Sequence, residues 1–231
     1  MDFGLHPRWR DLPVRKLYRN RDIIPGTGTR MIIRKILSEG LAHNSYFISA
    51  ARLAVVVDPR RDCEAYLELA GELDVRIIHI FETHRNEDYV IGSLELASRT
   101  GASIYHGRQV DFAYGNAVKE GDSFTLGSVE LRIIETPGHT FESISIIVTD
   151  REVSDLPYAV FTRDTLFAGD AGRTDLFGPG RRPEMSALLY QSLWEKILPL
   201  GDGTLVLPAH GAGSVCGSAI SDHEITTVGY E

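Results

Sequence analysis

The amino-acid sequence predicts an α/β protein built as a four-layer sandwich, in which two sheets pack face to face and helices cover both outer faces. Strand-like and helix-like segments alternate in the first half of the chain, and a second strand-rich half ends in a helix and a last strand. Apolar residues make up 43% and charged residues 24% of the 231 residues, as in ordinary globular proteins. No apolar run approaches the ~20 residues of a membrane span.

Branched apolar runs and helical spacing define the elements of the first half. The run Leu53–Val57 is continuously apolar, as in a strand that is buried on both faces. The run Val75–Phe81 is rich in branched and aromatic residues, and Tyr66, Leu67 and Leu69 lie near helical spacing. The predicted strands cover 31–36, 45–49, 53–57 and 75–82, and the predicted helices cover 62–73 and 88–100.

The second half returns to short strands after Gly101. The predicted strands cover 122–128, 129–134, 144–148 and 204–207, with a helix over 186–198 and a polar loop over 151–157. The runs 160–162 and 166–168 flank a turn that is predicted to be functional.

Charge separates an N-terminal arm from the rest of the chain. Residues 1–30 carry seven Lys or Arg against three Asp, a net charge of +4. Since the whole chain carries −8, the remaining 201 residues carry a net charge of −12. We interpret 1–30 as a basic, poorly ordered extension, with a partner-binding tail as the alternative, and 31–231 as one domain. A body this acidic argues against nucleic acid as a ligand.

Cysteine content and the N-terminus indicate the compartment. Cys63 and Cys216 are too few for a disulfide framework, and the N-terminus has no apolar signal segment. We therefore expect a cytoplasmic protein without a membrane partner.

Three of the eight histidines directly follow predicted strands. His84 lies in the run Thr83–Tyr89 (THRNEDY), between a strand and a helix; His139 lies in T-P-G-H-T and His210 in L-P-A-H-G. Functional side chains are often presented from such loops, and the small neighbours leave room for a metal ion. Asp164, in F-T-R-D, adds a carboxylate in a similar context.

In this order, the motifs T-H-x-x-x-D, T-P-G-H-T, F-T-x-D-T-L-F, G-R-T-D and P-A-H-G resemble the glyoxalase II branch of the metallo-β-lactamase superfamily. Within that branch the sequence is most similar to persulfide (sulfur) dioxygenases, especially those fused to rhodanese domains. The resemblance covers about residues 31–231 and implies the αββα sandwich. The family turn T-H-x-H-x-D-H is changed at Asn86 and Tyr89, and Arg163 stands where Gly is usual.

The resemblance implies that His84, His139 and Asp164 are metal ligands. Asp170 is an alternative carboxylate, but the sequence context of Asp164 fits the family better. Two histidines and one carboxylate also form the facial triad of non-haem Fe(II) oxygenases, which leaves open positions for a thiolate sulfur and O₂.

A second zinc ion would be poorly held. With imidazoles absent at 86 and 89, it would have only Asp88, His210 and a shared Asp164, whereas Zn²⁺ prefers about four ligands including a water. We therefore expect Asp88 and His210 to orient ligands and substrate. This loss favours one Fe(II) per chain, with zinc as the alternative metal.

Two further residues have open interpretations. Arg173, in G-R-T-D, matches a family residue near the thiol substrate and could bind a carboxylate with both guanidinium nitrogens; a surface ion pair is the alternative. We interpret Cys216 as a small buried residue rather than a sulfur-relay thiol.

The function expected from this pattern is oxidation of a low-molecular-weight thiol persulfide by O₂, releasing sulfite. The alternatives are a zinc-dependent hydrolase of a thioester or lactone, similar to glyoxalase II, and a non-catalytic module. A rhodanese domain or protein is one partner that the resemblance suggests, and the sequence leaves the oligomeric state open, with a homodimer as one option.

Overall fold

The computed structural model describes residues 30–85, 89–223 and 225–231, which form two six-stranded sheets. The predicted α/β class is therefore confirmed. Of the predicted N-terminal extension over 1–30, only Arg30 lies within the described residues. No helix among the described residues is long and apolar enough to cross a membrane.

The first sheet follows chain order. Its strands are β1 (Ile32–Ser38), β2 (His43–Ala50), β3 (Leu53–Val57), β4 (Arg76–Glu82), β5 (Ser103–Gly107) and β6 (Asn116–Val118). The first three strands pair antiparallel and the last four pair parallel. A short 3₁₀ turn, Glu39–Leu41, connects β1 and β2.

The second sheet has the order β12-β11-β10-β9-β8-β7. Its strands are β7 (Ser123–Leu126), β8 (Val129–Glu135), β9 (Ile144–Asp150), β10 (Ala159–Phe161), β11 (Leu205–Leu207) and β12 (Thr226–Thr227). Only the β10–β11 pair among these neighbours is parallel.

Within the described ranges, three α-helices accompany the sheets: α1 (Glu64–Glu72), α2 (Ser93–Thr100) and α3 (Arg182–Gln191). Helix α3 continues as a π-helical turn, Ser192–Ile197, and a 3₁₀ turn, Leu198–Leu200. The predicted helix over 186–198 therefore begins earlier than expected, and it changes its hydrogen-bonding pattern at Ser192.

The core shows the predicted four layers. The largest apolar cluster lies between the sheets and combines residues such as Val55, Phe81, Ile133 and Phe161. In β3, Val55 and Val57 point into this cluster, whereas Ala54 and Val56 pack with α1 and α2 on the outer face, as the two-residue period of a strand requires. A third cluster packs the outer face of the second sheet against the π-helical turn.

The two runs that flank the predicted functional turn differ in structure. The first contributes to β10 (Ala159–Phe161), whereas Leu166 makes an isolated bridge with Ala171, five residues later, so the second run folds back on itself in a turn. This turn follows β10 and contributes to the edge of the sandwich where several strand ends meet.

Candidate metal centre

The side chains of His84, His139 and Asp164 converge at one edge of the sandwich. Their donor atoms all lie within 4.8 Å of one another. The Asp164 Oδ2 atom lies 3.3 Å from His139 Nε2 and 4.0 Å from His84 Nε2. All three residues are buried. The structure thus brings together the three residues that the sequence singled out.

His84 is positioned by the segment that follows β4. The preceding residue, Thr83, gives its backbone N–H and its hydroxyl to Asp58, each at 2.9 Å. The Thr83 carbonyl accepts from Ile144 N at 2.8 Å, which ties this segment to the second sheet. Burial, reinforced by the charge of Arg163, lowers the pKa of His84 well below its ordinary value. His84 is therefore neutral, which is the form that binds a metal ion.

His139 is oriented by the backbone of another loop. Its Nδ1 atom lies 3.0 Å from the Arg173 carbonyl oxygen. A carbonyl only accepts, so Nδ1 carries the proton and Nε2 presents its lone pair toward Asp164. The turn before it requires glycine, because Gly138 has φ +143° and a Cβ there would lie 2.4 Å from the Leu189 backbone.

Asp164 has one satisfied and one free carboxylate oxygen. Oδ1 accepts from His210 Nδ1 at 3.0 Å, whereas the buried Oδ2 has no hydrogen-bond partner within the described part of the chain. Burial alone would raise the pKa of Asp164, but the His210 hydrogen bond and the surrounding imidazoles hold it well below its ordinary value. A buried, unpartnered carboxylate oxygen facing two imidazole nitrogens fits a cation.

The loop after the isolated bridge packs tightly on Asp164. A Cβ at Gly172 would lie 1.7 Å from the Asp164 carbonyl oxygen and 3.3 Å from His139 Cβ. Only glycine allows this approach, which explains the first residue of the G-R-T-D motif.

His210 contacts Asp164 directly, as a residue that orients a ligand would. Together with Cys216, these two residues form a second group whose donor atoms lie within 4.8 Å of one another. Cys216 is buried and not in a disulfide. The prediction for Asp88, like the substitution at Asn86, lies outside the described residues.

Arg173 has a different environment from the one expected for a free substrate-binding group. Its Nε and Nη2 atoms lie 2.7 and 3.0 Å from the two carboxylate oxygens of Asp175. Its carbonyl orients His139, a contribution that the sequence did not indicate. The alternative carboxylate, Asp170, accepts backbone N–H groups of Ala171 and Ala219, each at 2.8 Å.

The sequence analysis missed His43, which begins β2 and is fully buried. Its ring packs against the Tyr89 ring, with a centroid separation of 3.9 Å and an angle of 31° between the ring planes, and its centroid lies 5.8 Å from that of the His210 ring. Neither ring nitrogen has a hydrogen-bond partner among the described residues. No motif contains His43, so only its tertiary neighbours associate it with the site.

Comparison with known proteins identifies relatives of this arrangement. Residues 39–210 match the family model of the metallo-beta-lactamase superfamily. The chain is similar to mitochondrial persulfide dioxygenase ETHE1 of Bos taurus, with 28% identity over 193 residues that cover 80% of this chain and 70% of that protein.

Two crystal structures share the fold. A metallo-beta-lactamase from Staphylococcus aureus subsp. aureus COL has a TM-score of 0.81 and 31% identity, covering 88% of this chain and 62% of that one. ETHE1 from Myxococcus xanthus has a TM-score of 0.71 and 29% identity, covering 85% and 80%.

Some relatives are matched over only part of their length. An uncharacterized protein of Mycobacterium leprae is 43% identical over 101 residues, and this match spans 43% of the present chain and 41% of that protein. The superfamily match nevertheless covers most of the chain and includes the strand ends that carry the converging side chains. The chain belongs to the metallo-beta-lactamase superfamily.

Proposed function

We propose that this protein is a persulfide dioxygenase that holds one Fe(II) ion and oxidises a low-molecular-weight thiol persulfide to sulfite. The observation that carries the proposal is the buried cluster of two imidazoles and one carboxylate with an unpartnered oxygen. Similarity to a persulfide dioxygenase over 80% of the chain supports the same reaction class.

In this proposal His84, His139 and Asp164 hold the ion, and the rest of the coordination sphere stays open for substrate. This donor set is typical of non-haem Fe(II) oxygenases. When bound, Fe(II) supplies the redox chemistry with O₂ that Zn²⁺ lacks. The balanced reaction converts one persulfide, one O₂ and one water into one thiol, one sulfite and two protons.

The protein's own groups keep the donors in their binding forms. The Arg173 carbonyl holds the Nδ1 proton of His139, and His210 holds a proton toward Asp164 Oδ1. Asp164 therefore keeps its charge, with Oδ2 directed at the imidazoles. Burial of all three side chains limits access of water, which strengthens each electrostatic contact.

The thiol carrier is proposed to enter beside Arg173. This residue lines a cleft of about 350 Å³ that also contains Arg182 and Cys216. Two guanidinium groups at one cleft suit an acidic carrier. The Arg173 guanidinium is already paired with Asp175. A substrate carboxylate would therefore compete with Asp175 for Arg173, or it would bind Arg182.

We propose a cytoplasmic location, with a rhodanese domain or protein as one candidate partner and a homodimer as one option for an oligomeric state that stays open. Both cysteines are unpaired thiols, consistent with a reducing compartment.

One observation favours a zinc-dependent thioester or lactone hydrolase as the second candidate. Asp164, His210 and Cys216 could contribute to a second ion. Against this, Tyr89 stands where the family turn has an imidazole, and its phenol lies 3.4 Å from the Asp58 carbonyl oxygen.

The deciding experiment compares metal forms of the purified protein. The Fe(II) form, given glutathione persulfide, should consume O₂ and release sulfite, and the Zn²⁺ form should be inactive in this assay. Asp164→Ala should remove turnover, and Arg173→Ala should mainly raise KM. Thioester hydrolysis by the zinc form without oxygen uptake by the iron form would establish the hydrolase instead. Failure to bind either metal would indicate a non-catalytic module.

A further inference from the structure

Arg163 is a buried cation in an unusual backbone conformation. It directly precedes Asp164, is 2% exposed and has φ +48°. The left-handed region is unfavourable for a non-glycine residue because its Cβ approaches the following carbonyl oxygen, which accounts for the glycine usual at this position in the motif. Burying a guanidinium adds a further cost unless the charge is paired. Its contacts must therefore offset both costs.

One ion-pair partner of Arg163 is Asp58, which follows β3. Arg163 Nε lies 3.1 Å from Asp58 Oδ2, and the Asp58 side chain is fully buried. Asp58 also has positive φ, at +51°. The same carboxylate accepts both hydrogen bonds from Thr83, the residue before His84.

These contacts connect the two sheets beneath the candidate metal centre. Arg163 belongs to the turn after β10 of the second sheet, which carries Asp164. Asp58 accepts hydrogen bonds from Thr83, in the segment after β4 of the first sheet that carries His84. The Arg163 carbonyl also accepts from Ala209 N at 3.5 Å, next to His210. Arg163 thus contacts the segments of Asp164 and His210 directly and is linked to the segment of His84 through Asp58.

We propose that Arg163 is a positioning residue for the metal centre: through Asp58 it sets the separation between the His84 imidazole and the Asp164 carboxylate. The inference rests on the proposed role of these two side chains as ligands. The role is geometric: the Arg163–Asp58 ion pair joins the turn that carries Asp164 to the segment that carries His84.

The test measures Co²⁺ binding, which needs no turnover. Partners of metal ligands typically change affinity by about 10–100-fold when removed. We expect Arg163→Met to weaken Co²⁺ binding at least about 10-fold and to alter the visible absorption bands of the Co²⁺ form. Arg163→Lys, which keeps the charge at the same backbone conformation, should restore part of the affinity.

Arg52→Met is the matched control. Arg52 also has positive φ, at +62°, and pairs with Asp74 at 2.6 Å, but both side chains are exposed and lie away from the converging strand ends. The Arg52→Met variant should have the Co²⁺ affinity and the absorption spectrum of the wild-type protein. Wild-type affinity and spectrum in folded Arg163→Met would overturn the inference, and so would an equal loss in Arg52→Met.

If Arg163→Met does not fold, the double variant Asp58→Asn with Arg163→Met removes both charges and avoids an unpaired buried carboxylate. The carboxamide oxygen introduced by Asp58→Asn would still accept a hydrogen bond from Thr83, yet the link to the Asp164 turn would be lost. We expect weakened Co²⁺ binding; wild-type binding would overturn the inference. The proposed dioxygenase activity is tested separately, by oxygen uptake of the iron-loaded wild-type protein, so its absence is distinguishable from a negative result for Arg163.

Discussion

At the scale of single residues, His139 has the tautomer and the ring orientation that a metal ligand needs. Its Nδ1 proton is bound by a backbone carbonyl and its Nε2 atom faces Asp164. A side chain so oriented contributes its lone pair without reorganisation when an ion binds, because the tautomer is already selected.

We predict that His139→Ala abolishes metal loading and leaves the fold intact. Losing one of three donors should reduce affinity by more than the roughly 10–100-fold effect of an outer partner. Elemental analysis after dialysis, with far-UV circular dichroism for the fold, checks this. His223→Ala, which removes an exposed imidazole, is the control. Stoichiometric iron in the His139 variant would show that His139 is not a ligand.

His43 should make the metal-free protein sensitive to acid. Burial, aided by the charge of Arg163, lowers the pKa of His43 to about 2. Below an unfolded-state pKa of about 6.5 the unfolded chain binds a proton that the folded chain does not, so stability falls as pH decreases. One such histidine contributes a slope of about 1.4 kcal/mol per pH unit.

We predict that His43→Phe reduces the pH dependence of the free energy of unfolding between pH 6 and 5 by about 1.4 kcal/mol per pH unit, the effect of about one proton. The free energy of unfolding at pH 7.5 should change by less than about 1 kcal/mol. Phenylalanine keeps the ring contact with Tyr89 and removes two nitrogens that have no hydrogen bond in the described part of the structure. Urea unfolding of the metal-free protein at several pH values measures both quantities. An unchanged slope would mean that His43 is protonated in the folded state.

At the scale of elements, the π-helical turn after α3 holds the His139 loop. Ser192, the first residue of that turn, is buried and gives its hydroxyl hydrogen to the Pro137 carbonyl at 2.7 Å. π-Helical turns occur frequently at functional sites. Here the turn supports the backbone two residues before His139.

We predict that Ser192→Ala lowers the free energy of unfolding by about 1–3 kcal/mol, because the Pro137 carbonyl loses a buried partner. Ser186→Ala is the matched control, since the Ser186 hydroxyl bonds Thr174 at the surface of α3. Ser186→Ala should change stability by less than about 0.5 kcal/mol. Equal effects of the two variants in urea titrations would contradict a supporting role for the turn.

At the scale of the whole molecule, the core is independent of the metal centre. The main apolar cluster lies between the sheets, whereas the converging side chains follow the ends of strands at one edge. We therefore expect the chain to fold without metal, as a domain of this size generally can.

We predict that chelation leaves the far-UV spectrum unchanged and lowers Tm only moderately. At a free metal concentration 100 times Kd, binding adds about 2.7 kcal/mol, which corresponds to roughly 5–10 °C for a chain of this size. Calorimetry of the metal-free and metal-loaded protein tests this. Cooperative loss of the fold on chelation would show that the metal is structural.

Local sequence signals determined much of the architecture. The predicted strands at 53–57 and 75–82 agree with β3 and with β4 to within one residue, because β3 is a continuous apolar run and β4 is rich in branched and aromatic residues. The prediction that His84, His139 and Asp164 meet came from strand ends and motif order, and the structure places them together. Their roles as ligands remain predictions.

Tertiary structure alone decided the remaining features. The short strands β6 and β12 carry too few residues for a periodic signal and depend on pairing with β5 and β11. The ring contact of His43 with Tyr89 joins residues 46 positions apart, and the pairing of Arg163 with Asp58 joins residues 105 positions apart. Periodicity and motifs report which face of an element a residue occupies, but the partner of a buried polar group is set by how distant segments pack.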